Sequence, residues 1–169
     1  GNLKGLNQNS LALTRRFTNQ LTKEDWLEAA EEIRSNLDDE VIERAVKNYP
    51  EPVFEKYGEE TIRIIKERRD KIMEVAEEYY GLISGVVSIP ASDKRERFLV
   101  TILDDERIHV QVFKLSGKGE LRGRYFDRIF YKNETRELRL FGVGGDDEFM
   151  LTGEASNPIK LRVIGGGRR

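Results

Sequence analysis

The sequence contains no cysteine and a single histidine, His109, among 169 residues. Without thiols there are no disulfides and no thiolate metal sites. With one imidazole there is no histidine-rich zinc or di-iron centre. His109 sits in the middle of a strand pattern and supports no Ser-His-Asp triad. No run approaches 18 apolar residues, so no segment is expected to span a membrane as a helix. No basic stretch followed by an apolar run opens the sequence, so no signal peptide is expected within it. Gly1 at one end and Gly-Gly-Gly-Arg-Arg at the other suggest a piece cut from a longer protein.

Charge of one sign is also scarce. Charged residues make up 36% of the chain, yet the formal net charge is only −2. A global basic field for nucleic acid is therefore absent, and no nucleic-acid partner is expected. Residues 1–84 hold 13 Lys and Arg against 18 Asp and Glu, and residues 85–169 hold 16 against 13. Apolar residues, 38% of the total, recur in clear periods, which marks a folded chain rather than a disordered one.

Those periods divide the chain. Up to residue 21 it is polar and weakly periodic, with "LALTRRFTNQL" able to form a short helix. Thr22 reads as an N-cap, with Glu24 and Asp25 in the first turn where the helix dipole favours acids. Trp26, Ala29, Ala30 and Ile33 follow as one apolar stripe. A second short helix begins at Leu37-Asp38-Asp39 with Val41, Ile42, Ala45, Val46 and Tyr49 inward, and Pro50 and Pro52 end it. The longest helix runs from about Glu59, after Gly58, to Tyr80, with Gly81 and Gly85 at its exit.

From Gly85 the period changes to two. "GVVSIP" is a short strand. "RERFLVTIL" and "RIHVQVFKL" form a hairpin through Asp104-Asp105-Glu106. Ile108, Val110 and Val112 share one face of the second strand, and His109, Gln111 and Phe113 the other. "ELRGRYFDRIFY", "ELRLFG", "DEFMLTG" and "IKLRVIG" continue as strands. The segments 127–142 and 147–165 echo each other, and their closing glycines, Gly142 and Gly165, lie 23 residues apart. A strand-turn-strand repeat of this length suits a coiled sheet whose units stack. The expected class is α+β. A helical segment of about three helices (1–84) precedes a mostly antiparallel, coiled or β-roll-like sheet (85–169), packed as one domain.

The densest stretch of chemistry is "GVGGDDEF", Gly142 to Phe149. Against the calcium-binding nonapeptide pattern, Gly142, Gly145 and Asp147 fall on register but Val143 occupies a glycine position. Asp146 and Asp147, with Gly142, Gly144 and Gly145, are the candidate calcium turn. Calcium needs six or more oxygens shared between successive turns, and the next turn offers Arg168 and Arg169 where acids are needed. The alternative is a tight strand corner that uses glycine for its backbone freedom. A phosphate cradle fits poorly, because a strand follows instead of a helix and Asp146 and Asp147 repel phosphate. The acid pairs Asp104/Asp105, Asp146/Asp147 and Glu77/Glu78 indicate no glycosidase without a cleft. No catalytic residue and no cofactor other than calcium is expected. "KERRDK", Lys66 to Lys71, reads as a solvated face with Glu67–Lys71 and Lys66–Asp70 pairs. Phe113, Tyr125 and Tyr131 are candidate exposed aromatics of a binding surface, or lie under the helices.

The phrases "LTKEDWLEAA", "IRIIKERRDKIMEVAEEYYGLIS", "SDKRERFLV", "TRELRLFGVGGDDEFMLTG" and "IKLRVIGGG" together resemble a stretch of large bacterial envelope proteins. Those proteins join a calcineurin-like metallophosphoesterase to an outer-membrane β-barrel in one chain. The resemblance covers most of residues 12–167. It implies a connecting region, extracytoplasmic, in the periplasm or at the outer membrane, whose partners are other domains of the same chain or envelope proteins. The phosphoesterase motifs Asp-x-His, Gly-Asn-His and their companions are missing, and one histidine cannot build a two-metal hydrolase. The series of membrane-length barrel strands is missing as well, so no direct membrane insertion is implied. Related stretches continue after the glycines with another acidic turn, where this sequence has Arg168 and Arg169. The resemblance therefore implies a spacer, adaptor or partner-binding module. A calcium-responsive binding or adhesion module is the alternative.

Overall fold

The computed structural model describes Gly5 and residues 10–165. Gly166, Gly167, Arg168 and Arg169 of the terminal glycine turn lie outside the described residues. The order is helices followed by strands, an α+β fold: α1 (Leu11–Phe17), α2 (Lys23–Asn36), α3 (Asp39–Lys47), α4 (Glu51–Asp70), α5 (Ile72–Ser84), then β1 (Val86–Pro90), β2 (Glu96–Ile102), β3 (Arg107–Leu115), β4 (Leu121–Tyr131), β5 (Glu137–Phe141), β6 (Glu148–Thr152) and β7 (Lys160–Ile164). Contacts divide the chain into two units, residues 21–80 and residues 1–20 with 81–169. The sequence reading instead draws one boundary at 84/85. The difference arises because the segment before Leu21 hydrogen-bonds to strands, and because Ile83 and Ser84 at the end of α5 are buried.

In the helical unit, Thr22 and Asp25 form a reciprocal capping box at the start of α2. Asp38 caps α3 through Oδ1, which accepts from Val41 N–H at 2.7 Å. Ile42, Val46 and Ile62 are the buried centre, with Phe54 and Ile65 against them. Trp26 stacks on Tyr79 at 5.7 Å. Pro50 and Pro52 start α4 instead of only ending α3. Pro50 is its N-cap and Pro52 lies in its first turn, where a missing N–H costs nothing. Gly58 is inside α4, not before it, and the Phe54 ring occupies the space a Cβ would need, 2.5 Å away. The long helix is two, interrupted at Lys71. Lys66 bonds to Asp39 and Glu43, Glu67 to Arg63, and Arg69 to Asp39 and Asp70, so the two i,i+4 pairs expected within "KERRDK" are replaced by other partners.

The β unit is a coil of two facing sheets. One has the order β1-β5-β7 and the other β4-β3-β2-β6. The mostly antiparallel expectation is corrected here. β1–β5, β5–β7 and β2–β6 are parallel, and only the meander β2-β3-β4 is antiparallel. Successive turns of a coil run in the same direction, so their strands pair in parallel. Val86 pairs Glu137 and Arg97 pairs Glu148, both 51 residues apart, which makes β1-β2 one turn and β5-β6 the next. Leu138 pairs Leu161, 23 residues apart, so the second halves of the sequence echo are in-register neighbours. The first halves are not. β4 and β6 lie at opposite edges of the four-stranded sheet. Phe98, Val100, Ile108, Val110, Val112, Phe130, Leu138, Leu140 and Ile159 fill the space between the sheets.

Candidate functional site

The Gly142–Asp147 loop turns β5 into β6 directly against the Ala91–Arg95 loop, which turns β1 into β2. The ladder continues round the corner: Ala91 N–H donates to Phe141 O at 2.7 Å, Gly144 N–H to Ser92 O at 3.2 Å, and Gly142 N–H to Ile164 O at 2.8 Å. Gly145 has φ +77°, and a Cβ there would come within 2.6 Å of Lys94 O. Backbone stacked on backbone, with one left-handed residue, requires glycine.

The two acids of this corner diverge. Asp146 is exposed, and its backbone carbonyl accepts from Arg95 Nε at 3.3 Å. Asp147 turns inward, and its Oδ1 accepts from Glu96 N–H at 3.1 Å. Glu96 is fully buried; its carboxylate accepts from Ser92 N–H at 3.1 Å and from the Ser92 hydroxyl. Burial first, and then the charge of Glu96, hold the Asp147 carboxyl above its ordinary value, against the lowering by Glu96 N–H. Tyr125 approaches the same acids from β4. Its hydroxyl is buried, and desolvation followed by the charges of Glu96 and Asp147 pushes it well above the usual phenol range.

Sequence reasoning missed Glu96. The available signal was phase, since Glu96, Phe98, Val100 and Ile102 alternate onto one buried face. It also placed Tyr125 on an outer face, whereas its ring packs against the core. Arg95 and Arg97 both pair with Glu148 beside the corner. Among the described residues no group of three or more Asp, Glu or His side chains could hold a metal ion. What the corner shows is Asp147 accepting from the Glu96 backbone, a hydrogen bond that ties one turn to the next.

The remaining candidates are dispersed. His109 Nε2 meets Asp127 Oδ1 at 2.5 Å on the outer face of the four-stranded sheet, where Arg124 also holds Asp127. The partners of Asp127, the His109 hydrogen bond first, hold its carboxyl below the usual range. Asp104 is bound by Arg107, Asp105 accepts from the Ser156 hydroxyl, Glu77 pairs with Lys23, and Glu78 is exposed. Phe113 is half-buried and Tyr131 exposed.

A second feature is the pair of edges at the ends of the coil. At one end the Ser10–Gln20 segment closes the structure: Asn19 Nδ2 donates to Ser88 O on β1, Gln20 Nε2 to Tyr125 O on β4, and Arg128 to Asn19 O. At the other end β6 and β7 are both edge strands. Leu151 and Val163 lie in register with Val100 and Leu140 and face inward as those do. Val100 and Leu140 are 2% and 0% exposed, whereas Leu151 and Val163 are 55% and 51% exposed. Among the described residues no further strand covers them, so they are core positions without a next layer. Comparison with protein-family models, with curated proteins and with solved structures finds no match for this chain.

Proposed function

We propose that the chain is a non-catalytic adaptor or partner-binding module of a larger bacterial cell-envelope protein, working outside the cytoplasm. The observation that carries this reading is the uncovered end of the coil, where two inward-facing apolar residues on adjacent sheet edges wait for a further layer. The use of the acids supports it too, because Glu96 and Asp147 join turns together and Asp104 and Glu77 are held in ion pairs. The envelope setting rests on the sequence phrases described above. The test is turnover of phosphomonoesters, phosphodiesters and glycosides by the purified chain, together with fractionation of the native cells. The expected result is no turnover above the blank, with the protein in the periplasmic or outer-membrane fraction. Turnover abolished by Glu96→Gln, or a cytosolic location, would overturn the reading.

A further inference from the structure

We propose that the free edge of β7 accepts an extended segment of a separate polypeptide in which acidic and apolar residues alternate, added as the next strand of the β1-β5-β7 sheet. This rests on the partner-binding reading and names the chemistry of the partner. Side chains on this sheet form rows across the strands, because the pairing is in register. One outward row is Glu137 then Lys160, and the next is Arg139 then Arg162. Arg139, Lys160 and Arg162 all lean on Glu137, at 2.6, 3.6 and 3.2 Å. Among the described residues that single carboxylate serves three cations, which leaves the edge with an excess of positive charge. The inward rows end at Leu161 and Val163. A strand beside β7 therefore satisfies every row if it places acids opposite Lys160 and Arg162 and apolar residues opposite Val163 and its neighbours.

A second copy of this chain fits less well. An antiparallel β7 pair centred on Arg162 sets two guanidinium groups opposite each other, which is repulsive. The β6 edge is not the complement either, since Glu148 is already held by Arg95 and Arg97. Bare alternation would make an edge sticky to any strand, and the two cations make it selective for an acidic one.

The test uses the whole chain and two synthetic peptides, one with the core Glu-Val-Glu-Val-Val and one with Lys for each Glu. Calorimetry measures binding, and hydrogen exchange locates it. The acidic peptide is expected to bind and protect β7 amides, with binding weakened by salt. The basic peptide should bind about tenfold more weakly, the swing of two cross-strand charge pairs from attractive to repulsive. The order should invert for the Lys160→Glu, Arg162→Glu double variant, and that rescue would itself show that the variant is folded. Equal binding of both peptides, binding of neither, protection away from β7, or concentration-dependent dimerisation that covers β7 would each overturn the proposal. None of these outcomes would create turnover, so the module reading stands or falls separately.

Discussion

Asp147 and Glu96 belong to different turns of the coil, yet the Asp147 carboxyl accepts the Glu96 N–H at 3.1 Å. At the corner that the sequence marks as a calcium candidate, this hydrogen bond clasps one layer to the next.

That clasp has a pH signature. The folded protein raises Asp147 above its ordinary value of 3.8, so between that value and the folded one the native state binds the proton more tightly than the unfolded state does. This group's contribution is fully present below pH 3.8 and is lost as pH rises through the folded value. Asp147→Asn keeps the acceptor for Glu96 N–H and removes the charge. Urea unfolding across the acid range should show the variant more stable than the parent at neutral pH and with a flatter dependence on pH. A variant less stable at neutral pH would refute the raised Asp147 carboxyl.

Gly145→Ala should cost at least about 1–2 kcal/mol, from the left-handed backbone alone, before the contact with Lys94 O is counted. Gly117 has open space around its Cβ position and no positive φ. Gly117→Ala should therefore change stability little, within roughly 0.5 kcal/mol. Equal effects in denaturant melts would remove the stacked-corner account.

Thermal unfolding should be the same in EDTA and in millimolar calcium. Any ligand of the native state raises the melting temperature, and among the described residues no group of three or more acids or imidazoles is placed to hold a metal ion. A rise of several degrees, abolished by Asp147→Ala, would make the corner a calcium site.

Alternation along a strand fixes which side chains are buried, and on that account the faces of β3 and the buried phase of β2 were readable. Alternation does not say which strand lies alongside, so the parallel pairing of β1 with β5 and of β2 with β6, across the inserted β3-β4 hairpin, was not. The echo between Leu138-Arg139 and Leu161-Arg162 did carry pairing information, because identical steps of a coil stack in register. Pro50 and Pro52 misled because proline both ends and begins helices. Glu96 was hidden by type. An acid in a buried phase reads as a break in the pattern until its partners, Ser92 and Asp147, are seen around it.

The open end of the coil can be tested by comparing residues at one register position in adjacent turns. Leu140 and Val163 are cross-strand partners, one buried in the middle of the sheet and the other half-exposed at its edge. Leu140→Ala should destabilise by about 2–5 kcal/mol, the cost of a cavity in a packed core. Val163→Ala should cost under about 1 kcal/mol, because the removed methyls already face water in the isolated chain. Denaturant unfolding at several protein concentrations measures both. A large cost at Val163 that is independent of concentration would mean the end is already covered within one chain, and a large cost that grows with concentration would mean a second copy covers it.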